Sequence, residues 1–531
     1  MDDLPEWCDV RRGGGRVLLV APHGGRRPPI DPSAPPANLR VNDVYTPELT
    51  SMLAARLGPG SVINRGMDRN HTDMNRISQV RSRAPWFLDV LAAEIELIIA
   101  RHGEAEVVFL HGWNDGQVKC DIGIGAREVD GVLPGLDSLS VDGAYLEGRI
   151  GSLRSACERR GIDAPVGEKY PASHPNNLVQ LFGPGRIGIA GGRRVNAVQL
   201  ELTLPLRCPG QWREIFLDAA VEAFSQKDNV APHSRAARSH ASTAISAWDP
   251  PHGSAAPPTV ATASMHESLQ FYDPKAGLGV FAGIGRMGPN RHGSRLLLFL
   301  GGTRIALYTG EIAPGSMAPL RFERRGSHVR MQFAGPILLI ENGAEYLDLE
   351  AALAASRCVD ARVTIEFDEG SRVEHGIGFG EVRGEVAIES RRFNLHTQGF
   401  SHIAALRSAG HAQTMLAAAF AGDRALVGRI AAAEETTSSI IHFHAGTPEN
   451  LEDVRLHVFE DGDVYTPSAF ELRSPGRPPV RAQAVNRMAI LRSVPNGYVR
   501  VAFGVARFDW GDLTGFGLYE HALPVPVVAT R

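Results

Sequence analysis

The chain has 531 residues, enough for about two to four domains. Hydrophobic residues make up 43% and charged residues 21%, the balance of an ordinary globular protein. With 55 basic against 59 acidic residues, a net charge of −4 and no basic tract, nucleic acid is not an expected partner. Cys8, Cys120, Cys157, Cys208 and Cys358 are widely spaced and form no Cys-x-x-Cys, so neither a zinc ribbon nor a disulfide framework is expected. The first residues are acidic and lack an apolar h-region, which argues against a secretory signal. No apolar run approaches the ~18 residues of a membrane span. The expected location is the reducing cytoplasm.

Residues 10–225 read as alternating strands and helices. Residues 17–20 and 107–110 are short apolar β-like runs; 187–190 and 197–202 are later ones. Residues 47–57 and 84–101 carry apolar side chains at helical spacing. The alternation predicts an α/β domain with a mixed or largely parallel sheet. Ligands of such sheets gather at the carboxyl ends of the strands. His23, His111 and Glu201 fall there on this reading.

Between the two histidines lies Asp68-Arg69-Asn70-His71-Thr72-Asp73-Met74-Asn75-Arg76. Two strand-end histidines around a polar Asp-x-Asn-Arg run point to a metal at the sheet edge, with a guanidinium placed to hold a carboxylate. That combination suits metal-assisted hydrolysis of an amide beside a carboxylate. A catalytic zinc usually takes three protein ligands and leaves one position for water. His23 and His111 are candidates for two of them. Glu201 ends an apolar strand (Val198, Leu200, Leu202), where burial would raise its pKa and suit acid/base work. The alternative for Glu201 is a surface carboxylate on an edge strand. Asp73 is placed to orient Arg76. His174, in a Pro-containing loop, and Cys120 read as a loop residue and a small packing residue.

Residues 226–260 are rich in Ala, Ser, His and Pro and read as an exposed linker. Beyond residue 262, short apolar runs alternate with Gly, Asn and Asp turns, an all-β pattern with one helical interruption near 411–421. The expected organisation is 1–225 α/β, 226–260 linker, and two β-barrel or sandwich regions, 261–380 and 381–531.

Several segments taken in order resemble the N-formylglutamate amidohydrolase family, a branch of the zinc carboxypeptidase and aspartoacylase type of fold. They are Pro22-His23-Gly24-Gly25, Asn42-Asp43, the run from Arg69 to Arg76, the strand ending in His111, and Val198-Gln199-Leu200-Glu201. The resemblance covers roughly residues 10–225. It implies zinc as cofactor and Asp43 as the third ligand, with Glu48 the alternative. Carboxypeptidase-like sites often take a Glu three residues after the first His, but Arg26 stands there and cannot ligate a cation. The same resemblance implies Arg76 and Asn75 as substrate anchors, with Arg69 and Arg127 as further contacts, and Glu201 as the proton-transfer residue. The implied activity is hydrolysis of an N-acyl amino acid or related carboxylate-bearing amide.

The β half resembles the lipocalin-like carotenoid hydratase and tocopherol cyclase group. The matching segments are Glu267 to Tyr272, Asp273-Pro274, Gly283 to Asn290, and Phe508-Asp509-Trp510 through Glu520. That group has an Asp-His-Ser-Trp-Gly stretch where this chain has Gly399-Phe400-Ser401-His402-Ile403-Ala404, which puts hydratase or cyclase chemistry in doubt. The expected partner is a small molecule with a carboxylate and an apolar chain directed toward the β half. The competing reading is a lipophilic-ligand carrier, or an isoprenoid hydratase or cyclase working through the β half.

Overall fold

The computed structural model describes residues 4–525, apart from 32–34, 36–38, 129–132, 134–138, 183–194, 226–266, 289–290, 313–317, 373–376, 402–412, 422–423, 432–438, 445–446, 461–465 and 495–496. The expected linker at 226–260, the strand expected at 187–190 and the stretch from His402 to Ala404 lie outside the described residues.

The first part is built from β1 (Cys8–Arg11), β2 (Val17–Ala21), α1 (Thr46–Leu57), β3 (Gly60–Asn64), α2 (Ile77–Arg83), α3 (Pro85–His102), β4 (Ala105–Gly112) and β5 (Cys120–Gly123). After these, α4 (Gly143–Tyr145) leads through a π-helical turn into α5 (Gly151–Glu158); β6 (Val195–Leu202), α6 (Leu204–Arg207) and α7 (Gln211–Ser225) follow. The strands form one mixed sheet in the order β1-β3-β2-β4-β6-β5. The inner four are parallel, and β1 and β5 run antiparallel at the edges.

Both faces of this sheet are covered, which is why its strands are continuous apolar runs rather than alternating ones. Val17 and Leu19 of β2 pack with Leu49 and Leu53 of α1 and with Phe216 of α7. Leu18 and Val20 pack on the other side with Phe87, Leu91 and Ile95 of α3. The period-two alternation sets His111 on the α3 face with Val107 and Phe109, and Glu201 with Val195 and Ala197 on the same face. Gly58 and Gly103 end α1 and α3 in left-handed backbone, at φ 74° and 81°.

Among its described residues, the remainder is all-β apart from α8 (Leu349–Ala354) and a short 3₁₀ turn before it. One sheet contains β7 (Glu267–Asp273), β8 (Leu278–Gly288), β9 (Arg291–Phe299), β10 (Ile305–Ile312), β11 (Leu320–Arg325), β12 (His328–Ile340), β13 (Arg357–Arg372), β14 (Gly378–Ile388) and β15 (Arg391–Ser401). The other contains β16 (Gln413–Phe420), β17 (Arg424–Ala431), β18 (Ser439–His444), β19 (Thr447–Leu451), β20 (Arg455–Glu460), β21 (Pro467–Arg473), β22 (Val480–Val494), β23 (Gly497–Trp510) and β24 (Leu513–Val525).

Both are antiparallel meanders with the same strand order: fourth, third, second, first, then ninth back to fifth. In the first of them β10 also pairs with β12, Ile305 opposite Ile340, and closes the sheet on itself. Two expectations need correction. The helix expected near 411–421 is β16 over its described part; its residues pair with β17 on one side and β24 on the other, so tertiary pairing overrides the Ala-rich local preference. The boundary expected at 380/381 falls inside β14, which pairs along its length with β13 and β15; the change of sheet comes between Ser401 and Gln413.

A single apolar cluster ties the parts together. It joins Leu204 and Cys208 to Phe281, Leu297 and Leu338, and to Met488, Val501 and Phe503. No helix among the described residues is long and apolar enough to cross a membrane.

Candidate metal centre

The carboxyl ends of β2 and β4 bring two histidines together. His23 lies two residues beyond β2, in the turn Pro22-His23-Gly24-Gly25, and His111 is the penultimate residue of β4. Asp43 arrives on the segment before α1, fixed by its backbone N–H donating to the His23 carbonyl at 2.9 Å. All three side chains are buried.

Their ligand atoms form a small triangle. His111 Nδ1 lies 3.1 Å from His23 Nδ1 and 3.2 Å from Asp43 Oδ2, and His23 Nδ1 lies 3.3 Å from the same oxygen. Two ligand atoms on a tetrahedral zinc, each about 2.0–2.1 Å from the ion, stand ~3.3 Å apart. The triangle therefore has the dimensions of three corners of such a site. The protonation pattern agrees. His23 Nε2 lies 2.7 Å from Asp73 Oδ1, a pure acceptor, so in the neutral ring the proton belongs on Nε2. Nδ1 then presents a lone pair to the lone pairs of Asp43. A cation between them resolves that repulsion, and the carboxylate on the far nitrogen is the usual support of a metal-bound histidine.

The surrounding groups hold the triangle. Asp43 Oδ2 also accepts from Gly112 N at 3.1 Å, and Asp43 Oδ1 accepts from Arg69 at 2.9 Å. Burial pushes the Asp43 carboxyl up, but the neighbouring His23 and His111 rings and the Arg69 guanidinium outweigh it and hold it well below the usual carboxylate range. Asp73 is likewise held low: burial opposes, and the His23 bond, Arg69 and the Asn75 N–H prevail. Burial pushes His111 down to about 4 despite the bond to Asp43, so this ring is neutral at pH 7 and able to ligate. Its Nε2 is buried and has no hydrogen-bond partner among the described residues.

Glu201 stands beside the triangle, its Cα paired with His111 across β4–β6 and with Asp121 across β6–β5. It is an interior residue of the sheet, not the exposed edge carboxylate that was the alternative. Burial, and next the charge of Asp43, push it up to about 8. Gln199 donates to Glu201 Oε1 at 2.9 Å, while Gln199 Oε1 accepts from Asn75 at 3.2 Å and Asn177 at 3.0 Å. Amide side chains thus fix the carboxylate from behind.

The remaining sequence candidates divide. Asn75 is buried against Gln199, and its Oδ1 is without a partner among the described residues. Arg76 is half-exposed, its Nε 3.8 Å from Asp73. Asp73 therefore holds Arg76 only loosely; its close partners are His23 and, at 3.0 Å, Arg40. Arg69 points at Asp43 and the Val41 carbonyl rather than into open space. Arg127 is exposed and donates to the Gly167 carbonyl at 3.3 Å. Glu48 is exposed on the first turn of α1, outside the cluster. His174 is exposed and accepts from Asn176 N, and Cys120 is buried on β5.

Sequence reasoning missed Arg40, Asn177 and Glu350. The first two carry no motif, and Glu350 is 308 residues from Asn42, the residue it contacts. A cavity of about 940 Å³ adjoins the His23 turn at Gly24 and Gly25 and is also lined by Tyr45, Leu347, Ala351 and Ala354.

No protein-family model matches the chain, and no curated protein matches it. Among solved structures it is similar to kievitone hydratase from Nectria haematococca, at 10% identity and TM-score 0.35, over 49% of this chain and 88% of that one. It is also similar to N-formylglutamate amidohydrolase from Ralstonia eutropha JMP134, at 13% identity and TM-score 0.30, over 41% of this chain and 95% of that one.

Proposed function

We propose that this chain is a zinc-dependent hydrolase that cleaves an amide of an N-acyl amino acid or a related carboxylate-bearing substrate. The observation that carries the reading is the buried triangle of His23 Nδ1, Asp43 Oδ2 and His111 Nδ1, with sides of 3.1 to 3.3 Å, beside a carboxyl whose pKa is raised. His23, Asp43 and His111 would hold the ion. When bound, zinc supplies Lewis-acid polarisation of a carbonyl and lowers the pKa of a water to about 7.

The chain's own groups account for the rest. Glu201 takes the proton of the attacking water as its oxygen bonds to the carbonyl carbon. It returns that proton to the nitrogen as the C–N bond breaks, leaving a carboxylic acid and an amine. Gln199 holds Glu201 in one orientation throughout. Asp73 fixes the tautomer of His23. Arg76 offers its planar fork to the substrate carboxylate, and Asn75 lies beside it with a spare amide oxygen. The cavity beside the His23 turn supports directing the acyl group toward α8.

The test is metal analysis of the purified chain, coupled to amine release from N-acyl amino acids. About one zinc per chain is expected, lost in His23→Ala and His111→Ala because two ligands hold the ion poorly. Full zinc occupancy in His23→Ala would sink the metal assignment. Arg76→Lys should raise KM for substrates bearing a carboxylate and leave neutral amides unaffected. Equal cleavage of amides with and without a carboxylate by the unaltered chain would remove Arg76 as the anchor.

A further inference from the structure

The segment that delivers Asp43 is gripped by a helix from the β half. Glu350, on the first turn of α8, is buried, and its carboxylate accepts from the Asn42 backbone N–H at 3.0 Å. It also accepts from Asn42 Nδ2 at 3.1 Å and from the Arg27 backbone N–H at 3.1 Å. Asn42 passes the constraint on: its Oδ1 accepts from the Arg69 backbone N–H at 3.0 Å, and Arg69 donates to Asp43.

At the far end of α8 the Tyr45 hydroxyl donates to the Ala354 carbonyl at 2.6 Å and the Ser356 carbonyl at 2.9 Å. Tyr45 itself holds left-handed backbone, φ 71°, which a bulky side chain rarely adopts. A strained conformation of that kind persists only when its surroundings over-determine it. Here α8 and the residues just after it contact Asn42 on one side of Asp43 and Tyr45 on the other.

We infer that Glu350 is a positioning residue for the metal ligand Asp43, so that the β half completes the ligand set through α8. This rests on the metal reading above. The carboxylate touches neither the triangle nor a substrate; it acts through Asn42 and Arg69. Its removal changes how firmly Asp43 is presented, and hence metal affinity.

The test is the zinc affinity of the full chain, measured by competition with a chromophoric chelator. Loss of a supporting partner typically costs about 10–100-fold in metal affinity, and Glu350→Ala is expected to fall in that range. Glu350→Gln keeps the shape and one acceptor oxygen and should lose less; it also serves if the alanine variant does not fold. Glu311→Gln is the control. Glu311 accepts from Lys169 at 2.8 Å, another contact between the two halves that does not touch the 41–45 segment. Its affinity should match the unaltered chain. Unchanged affinity in both Glu350 variants overturns the inference while leaving the metal reading intact. Equal losses in Glu311→Gln and Glu350→Ala also overturn it, because general loosening of the halves would then be the cause. A chain that binds no zinc overturns the metal reading, and this inference with it.

Discussion

Glu201 is buried and feels the charge of a second carboxylate, Asp43. Either condition alone disfavours its anion; together they push it up to about 8. A carboxyl at that level takes a proton readily near neutral pH, which is the property a proton shuttle needs. Glu201→Gln keeps the size and one oxygen but abolishes proton uptake. Turnover should fall by about 10²–10⁴ with zinc still bound, because the ligand atoms are on other residues. Near-normal turnover would make Glu201 a structural residue. The types of residue at this site were readable early: two strand-end histidines, an Asp and a Glu. Their partners were not. That Asp73 faces His23 more closely than Arg76, and that Arg69 faces Asp43, depends on where separate loops meet.

The decisive element is the turn after β2. A Cβ on Gly24 would lie 2.2 Å from Pro47 Cγ and 2.6 Å from the Asn64 carbonyl oxygen; one on Gly25 would lie 1.8 Å from the Met67 carbonyl oxygen. Backbone atoms cannot yield as a flexible side chain can. Gly25→Ala must therefore displace the turn that carries His23. A loss of about 1–3 kcal/mol of stability is expected, together with weakened zinc binding. Unchanged zinc affinity would show that the turn and His23 move independently.

A second element-scale expectation concerns β16 and β24. Thr414 Oγ1 and His521 Nδ1 lie 2.7 Å apart between these strands, and burial, then Arg500, pushes His521 from 6.5 down to about 4. Its folded-state pKa lies below the unfolded one, so the associated stability is complete above about pH 6.5. It drains as pH falls toward 4, because the unfolded chain takes up a proton that the folded chain resists. The limit is about 3 kcal/mol at 1.36 kcal/mol per unit. Amide exchange in β16 and β24 should accelerate over that range and lose this dependence in His521→Gln. A flat profile in the unaltered chain would refute the assignment.

At the scale of the molecule, the two β sheets share one apolar cluster with Leu204 of α6 and Cys208 beyond it, and a cavity lies where the α/β part meets α8. If that cavity takes the acyl group, each buried methylene contributes about 0.8 kcal/mol of binding. Ala351 is exposed on its wall, so Ala351→Trp should narrow it. KM should rise for long-chain N-acyl substrates and stay level for N-acetyl ones. An equal effect on both would place the acyl group elsewhere. The two β sheets also share one strand order. A shared meander order does not require similar sequences, because a meander needs only alternation and turns, which many unrelated residues supply.

The sequence by itself determined the class of each part and the types of residue at the site. Apolar runs of period two and helices of period 3.6 are local signals, and they pointed to an α/β part followed by a β part. Local signals fail where the partner is distant. β1, β3 and β5 escaped notice because short edge or buried strands carry little periodicity, and β16 read as helix because alanine is a helix former until two neighbours claim its backbone. Only the tertiary structure decided that His23 Nδ1, Asp43 Oδ2 and His111 Nδ1 meet within 3.3 Å, that Glu201 is interior, and that Glu350 from the β half braces Asn42. The reason is physical: hydrogen bonds and charge pairs between loops are set by how packed elements juxtapose their ends, and no stretch of neighbouring residues encodes that placement alone.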